Sequence, residues 1–231
     1  MILIEKQIFY IALIIMKKEG EFNMKNYSSP KRRKKKQPAN PIKKIEQIYD
    51  IQDYLKVNSY RNYMLFILGI ATGYRAGDLV KLKVRDIRNA LDTGYFTIME
   101  GKKLNSKNIR EKNRKPRKVI IIKNLRIKLQ QYIKELNDYD YMFPSRKGGY
   151  IQVKRVSQIL KEAADYFGIM KISAHSMRKT YAYRIYETNG HDLLAIKEML
   201  GHSSIEETKV YLGLDREVFD NYSETLNDLI H

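Results

Sequence analysis

The 231-residue sequence predicts a mainly α-helical domain with a small antiparallel β-sheet, an α+β fold, and three observations carry that reading. Apolar residues recur at three- and four-residue spacing through most of the chain. Only two stretches, 95–99 (YFTIM) and 118–122 (KVIII), are short, β-branched or aromatic, and flank a polar segment as paired strands would. Glycines at 148, 149, 168, 190, 201 and 213 punctuate the helical segments as stops. With 43% hydrophobic residues the chain can bury a sizeable core.

Taken in order, the chain begins with an apolar run, Ile8 to Met16, too short to span a membrane, without a small-residue cleavage site, and followed by Lys17 and Lys18. Lys17-Lys18-Glu19-Gly20 can be encoded by a purine-rich stretch of the shape of a bacterial ribosome-binding site, a few codons before Met24. Residues 1–23 therefore read as an upstream mis-start or a disordered segment. Residues 24–40 hold Lys31, Arg32, Arg33, Lys34, Lys35 and Lys36 and then Pro38 and Asn40, a composition that repels itself and breaks helices, so a flexible basic arm is expected.

The folded domain then occupies 41–231. Ile42, Ile45, Ile48, Ile51 and Leu55 mark one apolar helical face, with Asn40 and Pro41 as its start. A second helix over 59–71 is apolar around most of its circumference at 63–68 and is expected at the buried centre. Between the two strands lies a long connection with nine Lys or Arg from Lys102 to Lys118 and the single acid Glu111. Such a loop is either solvated or lies along phosphates, and the charge density favours phosphates. Helices follow over 124–137, 152–167, 174–189, 192–200 and 205–212, with a last one over 215–229.

Composition removes several functions. There is no Cys, hence no disulfide framework, thiolate nucleophile or Cys-based zinc site, and only four His. No HExxH, EF-hand loop or acidic cluster of the two-metal kind is present, so neither a metal nor another cofactor is expected. Lys plus Arg number 44 against 26 Asp plus Glu, a net charge of +18, which points to a polyanionic partner and not to a membrane. A cytoplasmic protein is expected.

Three segments could carry chemistry. Ser173 caps a helix that places His175 and Arg178 on one face, where both can reach the same oxygen-rich ligand beside a helix N-terminus. Gly201 ends one helix and Ser204 with Glu207 forms a capping box for the next, pinning His202 in the turn, with Tyr211 near that helix's end. Arg75 stands in a turn past the buried helix, with Asp78 three residues on to orient its guanidinium. Each has a plain structural reading alone: His175 as a surface histidine, Tyr211 as one of 18 tyrosines, Arg75 and Asp78 as a surface pair. Together they are what metal-free phosphodiester transesterification requires: a tyrosine nucleophile, two guanidinium forks for the phosphorane oxygens, imidazoles for protons, and a lysine for the leaving 5′ oxygen.

The segments "ATGYRAGDLVKLKVRDI", "AHSMRKTYAYRIY" and "LGHSSIEETKVYLGL", in this order around a basic hairpin, resemble the signature boxes of the tyrosine recombinase, or phage integrase, catalytic domain over about residues 42–226. The resemblance implies that fold, Tyr211 as the nucleophile of a 3′-phosphotyrosyl link, Arg75 and Arg178 as the phosphate clamp, and His175 and His202 as proton and phosphate partners. It implies Lys102 on the hairpin as general acid with Lys103 in reserve, and Asp78 as support for Arg75. Phosphate contacts are expected from Lys31 to Lys36, Lys103, Lys107, Arg110 and Arg114.

The implied activity is site-specific recombination of double-stranded DNA, integrating, excising or inverting a mobile element. It would need four protomers on paired sites, a monomer or weak oligomer without DNA, and an accessory factor or full-length recombinase as a further partner, in the bacterial nucleoid. The rivals are type IB topoisomerase-like relaxation and a non-catalytic DNA-binding or architectural protein. Tyr74 stands where that family more often has Leu, and Lys179 follows Arg178 where His is frequent. Most members also carry a helical DNA-binding domain ahead of the catalytic one, where this sequence has the arm of 24–40, resembling a subgroup of small catalytic-domain-only recombinases.

Overall fold

The computed structural model describes residues 39–98 and 116–214. Helix α1 (Ile45–Asn58) buries Ile48, Ile51 and Leu55, the face that spacing predicts. It starts three residues after Ile42 because the preceding segment is held elsewhere: Asn40 N–H donates to the Lys171 carbonyl at 2.9 Å and Ile42 N–H to Thr180 Oγ1 at 2.8 Å. Helix α2 (Tyr60–Thr72) buries every residue from Tyr63 to Gly69 and packs on α1 and on three later helices, so it is the centre of the domain. Truncating a side chain such as Leu68, fully buried there, to Ala would cost about 2–5 kcal/mol.

The short helix α3 (Ala76–Leu79) and the helix α4 (Val84–Thr93) follow. Neither is among the helices the sequence predicts. Helix α4 buries Val84, Ile87 and Ala90, and its start is fixed by the Asp86 carboxylate accepting from Lys83 N–H at 2.8 Å. Strands β1 (Tyr95–Ile98) and β2 (Arg117–Ile120) form the two-stranded antiparallel sheet, in register Tyr95 with Ile120 and Ile98 with Arg117. The second strand ends two residues before its expected limit, since Ile122 is exposed and becomes the N-cap of α5 (Lys123–Ile133). Helix α5 in turn stops four residues short of the expected 137, where Leu136 N–H turns back to the Ile133 carbonyl at 3.1 Å and Asp140 accepts from Asn137 N–H at 2.9 Å.

Helices α6 (Val153–Tyr166), α7 (Ala174–Thr188), α8 (Leu193–Leu200) and α9 (Ile205–Leu212) fall within one residue of their predicted limits. The buried side chains form two clusters. The larger gathers α1 to α6, the sheet and the first turns of α7 as far as Met177. The smaller consists of Ala182, Tyr186, Ile196, Leu200 and Leu212, with Tyr183, Ile185, Leu193, Met199, Tyr211 and Leu214 packed against it. Helix α7 thus runs from one cluster into the other.

Residues 1–23, expected as an upstream mis-start or a disordered segment, the arm with Lys31, Arg32, Arg33, Lys34, Lys35 and Lys36, the hairpin residues Lys102, Lys103, Lys107, Arg110 and Arg114, and the tail helix expected over 215–229 lie outside the described residues. Among the described residues no helix is long and apolar enough to cross a membrane, and no cluster of three or more His, Asp or Glu could hold a metal ion.

Candidate active site

The site grows from the end of α2. Gly73 caps that helix at φ 62°, and a Cβ there would lie 2.2 Å from Tyr181 Cδ1, so both conformation and space call for glycine. The reversal sends Tyr74 inward, 1% exposed, where its hydroxyl bridges the two strands through the Phe96 carbonyl at 3.2 Å and the Arg117 carbonyl at 2.6 Å. Arg75 follows as the extended N-cap of α3, its carbonyl accepting from Asp78 N–H at 2.9 Å and Leu79 N–H at 3.0 Å. Its guanidinium sits in a field shared with Arg178, Asp78, Tyr211 and Arg117. Burial and then Arg178 lower its pKa, while the Asp78 charge opposes that shift.

Helix α7 starts as its sequence predicts: Ser173 Oγ accepts from His175 N–H at 3.3 Å, and Ser173 N–H donates to Ser176 Oγ at 3.1 Å. One turn on, Arg178 is 2% exposed and uses its fork on two orphan carbonyls, Nη1 on Gly73 at 2.9 Å and Nη2 on Leu200 at 3.2 Å. A single side chain therefore ties the ends of α2 and α8 to α7.

Helix α8 is capped by Asp192, which accepts from Leu194 and Ala195 N–H, and ends at Gly201 in the left-handed region. His202 N–H closes the turn onto the Lys197 carbonyl at 3.0 Å. Ser204 Oγ accepts from Glu207 N–H at 3.0 Å, and Glu207 accepts from Ser203 N–H and Oγ at 3.0 and 2.9 Å. His202 Nδ1 lies 3.1 Å from the buried Thr208 Oγ1, which also reaches the Ser204 carbonyl at 3.2 Å. The hydroxyl has one hydrogen; with it committed to Ser204, Nδ1 carries the ring proton, and Nε2 is the nitrogen able to accept one.

Tyr211 stands two turns into α9, between the imidazoles. Its ring meets His175 with centroids 5.2 Å apart at 86° and His202 at 4.8 Å and 66°, and Lys179 Nζ is 5.1 Å from its centroid. The hydroxyl is buried facing Arg178 and forms no hydrogen bond of standard geometry among the described residues. Burial pushes its pKa up to about 12, against the lowering pull of Arg178, Arg75 and Arg117. Burial, then Lys179, Arg178, Arg75 and His202, lower the His175 pKa to about 4. Solvent still reaches part of His175, and burial together with the surrounding cations keeps its ring neutral near pH 7.

Arg75, His175, Arg178, His202 and Tyr211, with Asp78 behind Arg75, thus come together from three separate segments. Two further residues join them: Lys179, only 6% exposed beside the tyrosine, and Arg117 at the start of β2. Lys179 carried a sequence signal, lying four residues after His175 on one helix face. Arg117 carried none within a run of cations. Two guanidinium groups, two imidazoles and a buried phenol can bind a tetrahedral phosphate, neutralise charge that builds on its oxygens and present a nucleophile to phosphorus.

Residues 41–217 match the phage integrase family. The chain belongs to the phage integrase family. It is 32% identical over 178 residues to the probable integrase/recombinase YoeC of Bacillus subtilis (strain 168), covering 77% of this chain and 91% of that protein. The crystal structure of XerA recombinase superposes with a TM-score of 0.60 at 22% identity over 86% of this chain and 66% of that one. XerH site-specific recombinase bound to palindromic difH substrate in a post-cleavage complex gives a TM-score of 0.53 at 21% identity, over 88% and 57%. This chain, mostly helical with one antiparallel pair of strands among the described residues, shares its fold with these recombinases. In sequence the chain spans about half the length of the Xer recombinases of Pyrococcus furiosus and Helicobacter pylori that it matches, 54% and 46%.

Proposed function

We propose that this phage integrase family member is a site-specific DNA recombinase that cuts and rejoins double-stranded DNA through a 3′-phosphotyrosyl intermediate, moving a mobile element. The observation that carries the reading is the Tyr211 hydroxyl buried against the Arg178 guanidinium, with His175 and His202 packed on its ring. The names of the relatives favour recombination over relaxation or a purely architectural role.

In this reading the Tyr211 oxygen attacks the scissile phosphorus and gives up its proton to a neighbouring base, His202 Nε2 being the acceptor that its tautomer favours. The new P–O bond forms as the P–O5′ bond breaks, and Lys102 protonates the leaving 5′ oxygen. Arg75 and Arg178 hold the non-bridging oxygens, where charge grows in the phosphorane. The phosphotyrosine keeps a phosphodiester, so a 5′ hydroxyl of another strand can reverse the step without ATP. The high pKa of Tyr211 without DNA keeps the nucleophile protonated until a phosphate and a base are in place.

Lys31 to Lys36, Lys103, Lys107, Arg110 and Arg114 are proposed to track the phosphate backbone. Exchange between two duplexes implies four copies on paired sites, with an accessory factor or full-length recombinase as a further partner, in the bacterial cytoplasm at the nucleoid. Wild type and Tyr211→Phe, expressed with the DNA that surrounds the gene, test the chemistry. Wild type should retain discrete 3′-linked fragments, whose sequence gives the site, and Tyr211→Phe none. Absence of linked DNA from both, with binding intact, would replace the enzymatic reading by an architectural one.

A further inference from the structure

We infer that Arg117, held between the rings of Tyr74 and Tyr181, is a positioning residue that locks the strand pair to the turn presenting Arg75 and so sets the geometry of the phosphate clamp. Arg117 Nη1 donates to the Gly73 carbonyl at 3.1 Å, the same oxygen that Arg178 Nη1 reaches at 2.9 Å. Its guanidinium carbon lies 5.2 Å from the Tyr74 centroid and 5.1 Å from that of Tyr181.

Two cations converging on one carbonyl repel each other, an arrangement that needs compensation. The two aromatic faces supply it, since a guanidinium stacks on rings while its edge hydrogen-bonds. The contact also runs in the opposite direction along the chain, because the Tyr74 hydroxyl reaches the backbone carbonyl of Arg117 itself. Gly73 and Tyr74 are thereby fastened to β2 through a side chain donating each way, and Arg75 is the next residue. Rotating the peptide that follows Gly73 would break both guanidinium contacts, so the backbone that presents Arg75 is held by the same carbonyl that Arg178 uses.

A leucine at position 74 could fill the space but would offer neither ring face nor hydroxyl. The role assigned to Arg117 is positional and rests on its bond to the Gly73 carbonyl and its place beside both rings.

This inference rests on the clamp role proposed for Arg75 and Arg178. The test uses the full chain and a nicked suicide duplex built on the site recovered from the covalent complex, in two forms: the ordinary phosphodiester, and a methylphosphonate at the scissile position. A methylphosphonate has one non-bridging oxygen replaced by methyl and no negative charge, so a cationic clamp has little to neutralise. Arg117→Ala and Arg117→Lys are each expected to slow cleavage of the phosphodiester by about tenfold to a hundredfold, the range for a site misplaced by an ångström. On the methylphosphonate each should fall within about threefold of wild type. Arg117→Lys keeps the charge without the planar fork, so its failure assigns the effect to geometry. Tyr74→Leu should show the same substrate dependence.

Binding of each variant to the uncut duplex confirms a folded chain, with Arg117→Lys standing in if Arg117→Ala does not fold. Full activity of Arg117→Lys, or an equal loss on both substrates, would overturn the inference. Arg75→Ala is the control: if its own defect does not shrink on the methylphosphonate, the clamp reading fails and takes the inference with it, whereas a shrinking Arg75 defect beside an unchanged Arg117 defect defeats the inference alone.

Discussion

His202 meets Tyr211 edge to face, with ring centroids 4.8 Å apart and planes at 66°. The contact fixes the imidazole beside the phenol, and Thr208 fixes its rotation through Nδ1. A histidine so held offers one defined nitrogen to the reaction instead of two interchangeable ones.

Thr208→Val conserves the shape of a fully buried side chain and removes the oxygen facing His202. The expected cost in stability is about 1 kcal/mol, the net worth of one hydrogen bond. Cleavage should fall by at least about tenfold, part of the ~10²–10⁴ that a positioned acid–base group supplies. Nitrogen NMR of labelled histidine should show His202 moving from one dominant tautomer to a mixture; an unchanged tautomer would refute the assignment.

Arg178→Lys should be far from conservative. A lysine can reach the Gly73 carbonyl or the Leu200 carbonyl, not both in one plane, and leaves an acceptor buried without that donor. We expect a loss of about 1–3 kcal/mol in urea unfolding. Cleavage should fall by about 10²–10³, as when a donor to developing charge is removed. DNA binding, read by a mobility shift, should change much less than either.

Gly73→Ala places a methyl group against the Tyr181 ring at a backbone φ of 62°. Left-handed strain and overpacking together should cost about 2–4 kcal/mol. Because Arg75 is two residues away, activity should fall further than stability predicts. Tyr181→Ala in the same chain should recover part of the stability, by relieving the overlap, and none of the cleavage.

The His175 pKa gives a pH dependence of known sign. In the unfolded chain the imidazole binds its proton near 6.5, and in the folded protein only near 4. Between those values the unfolded state holds more protons, so stability from this group is present above about 6.5 and is lost as pH falls toward 4. The melting temperature of wild type should decline over that interval, and His175→Gln should flatten the decline. A His175 titration near 6.5 by NMR would defeat the prediction.

Much of this was legible in the sequence where local chemistry is strong. The face of Ile48, Ile51 and Leu55, the Ser173 and Ser204 caps, and the turn at Gly201 each announce themselves through spacing or a preferred cap, and the residues that join in the site ride on those signals. Helix α4 carries the same spacing, with Val84, Ile87 and Ala90 three apart, but over only ten residues and behind Lys83, which is no preferred N-cap. Arg117 was not legible: nothing nearby in the chain distinguishes it from its neighbours, and its meaning comes from Tyr74 and Tyr181, brought to it only by the fold.

The division of the buried side chains into two clusters has a thermodynamic consequence. Arg75 and the first turns of α7 rest on the large cluster, while Tyr211 rests on the small one of five buried residues under α8 and α9. Detaching those two helices exposes little apolar surface, so such a local opening costs a fraction of the free energy of global unfolding. In the proposed reading, the placement of the Tyr211 phenol would therefore follow a local equilibrium that also frees the Arg178 fork from the Leu200 carbonyl. In that reading, a contact on the outer side of α8 or α9 would bias that opening as a rheostat would, acting on Tyr211 and, through the Leu200 carbonyl, on Arg178 as well.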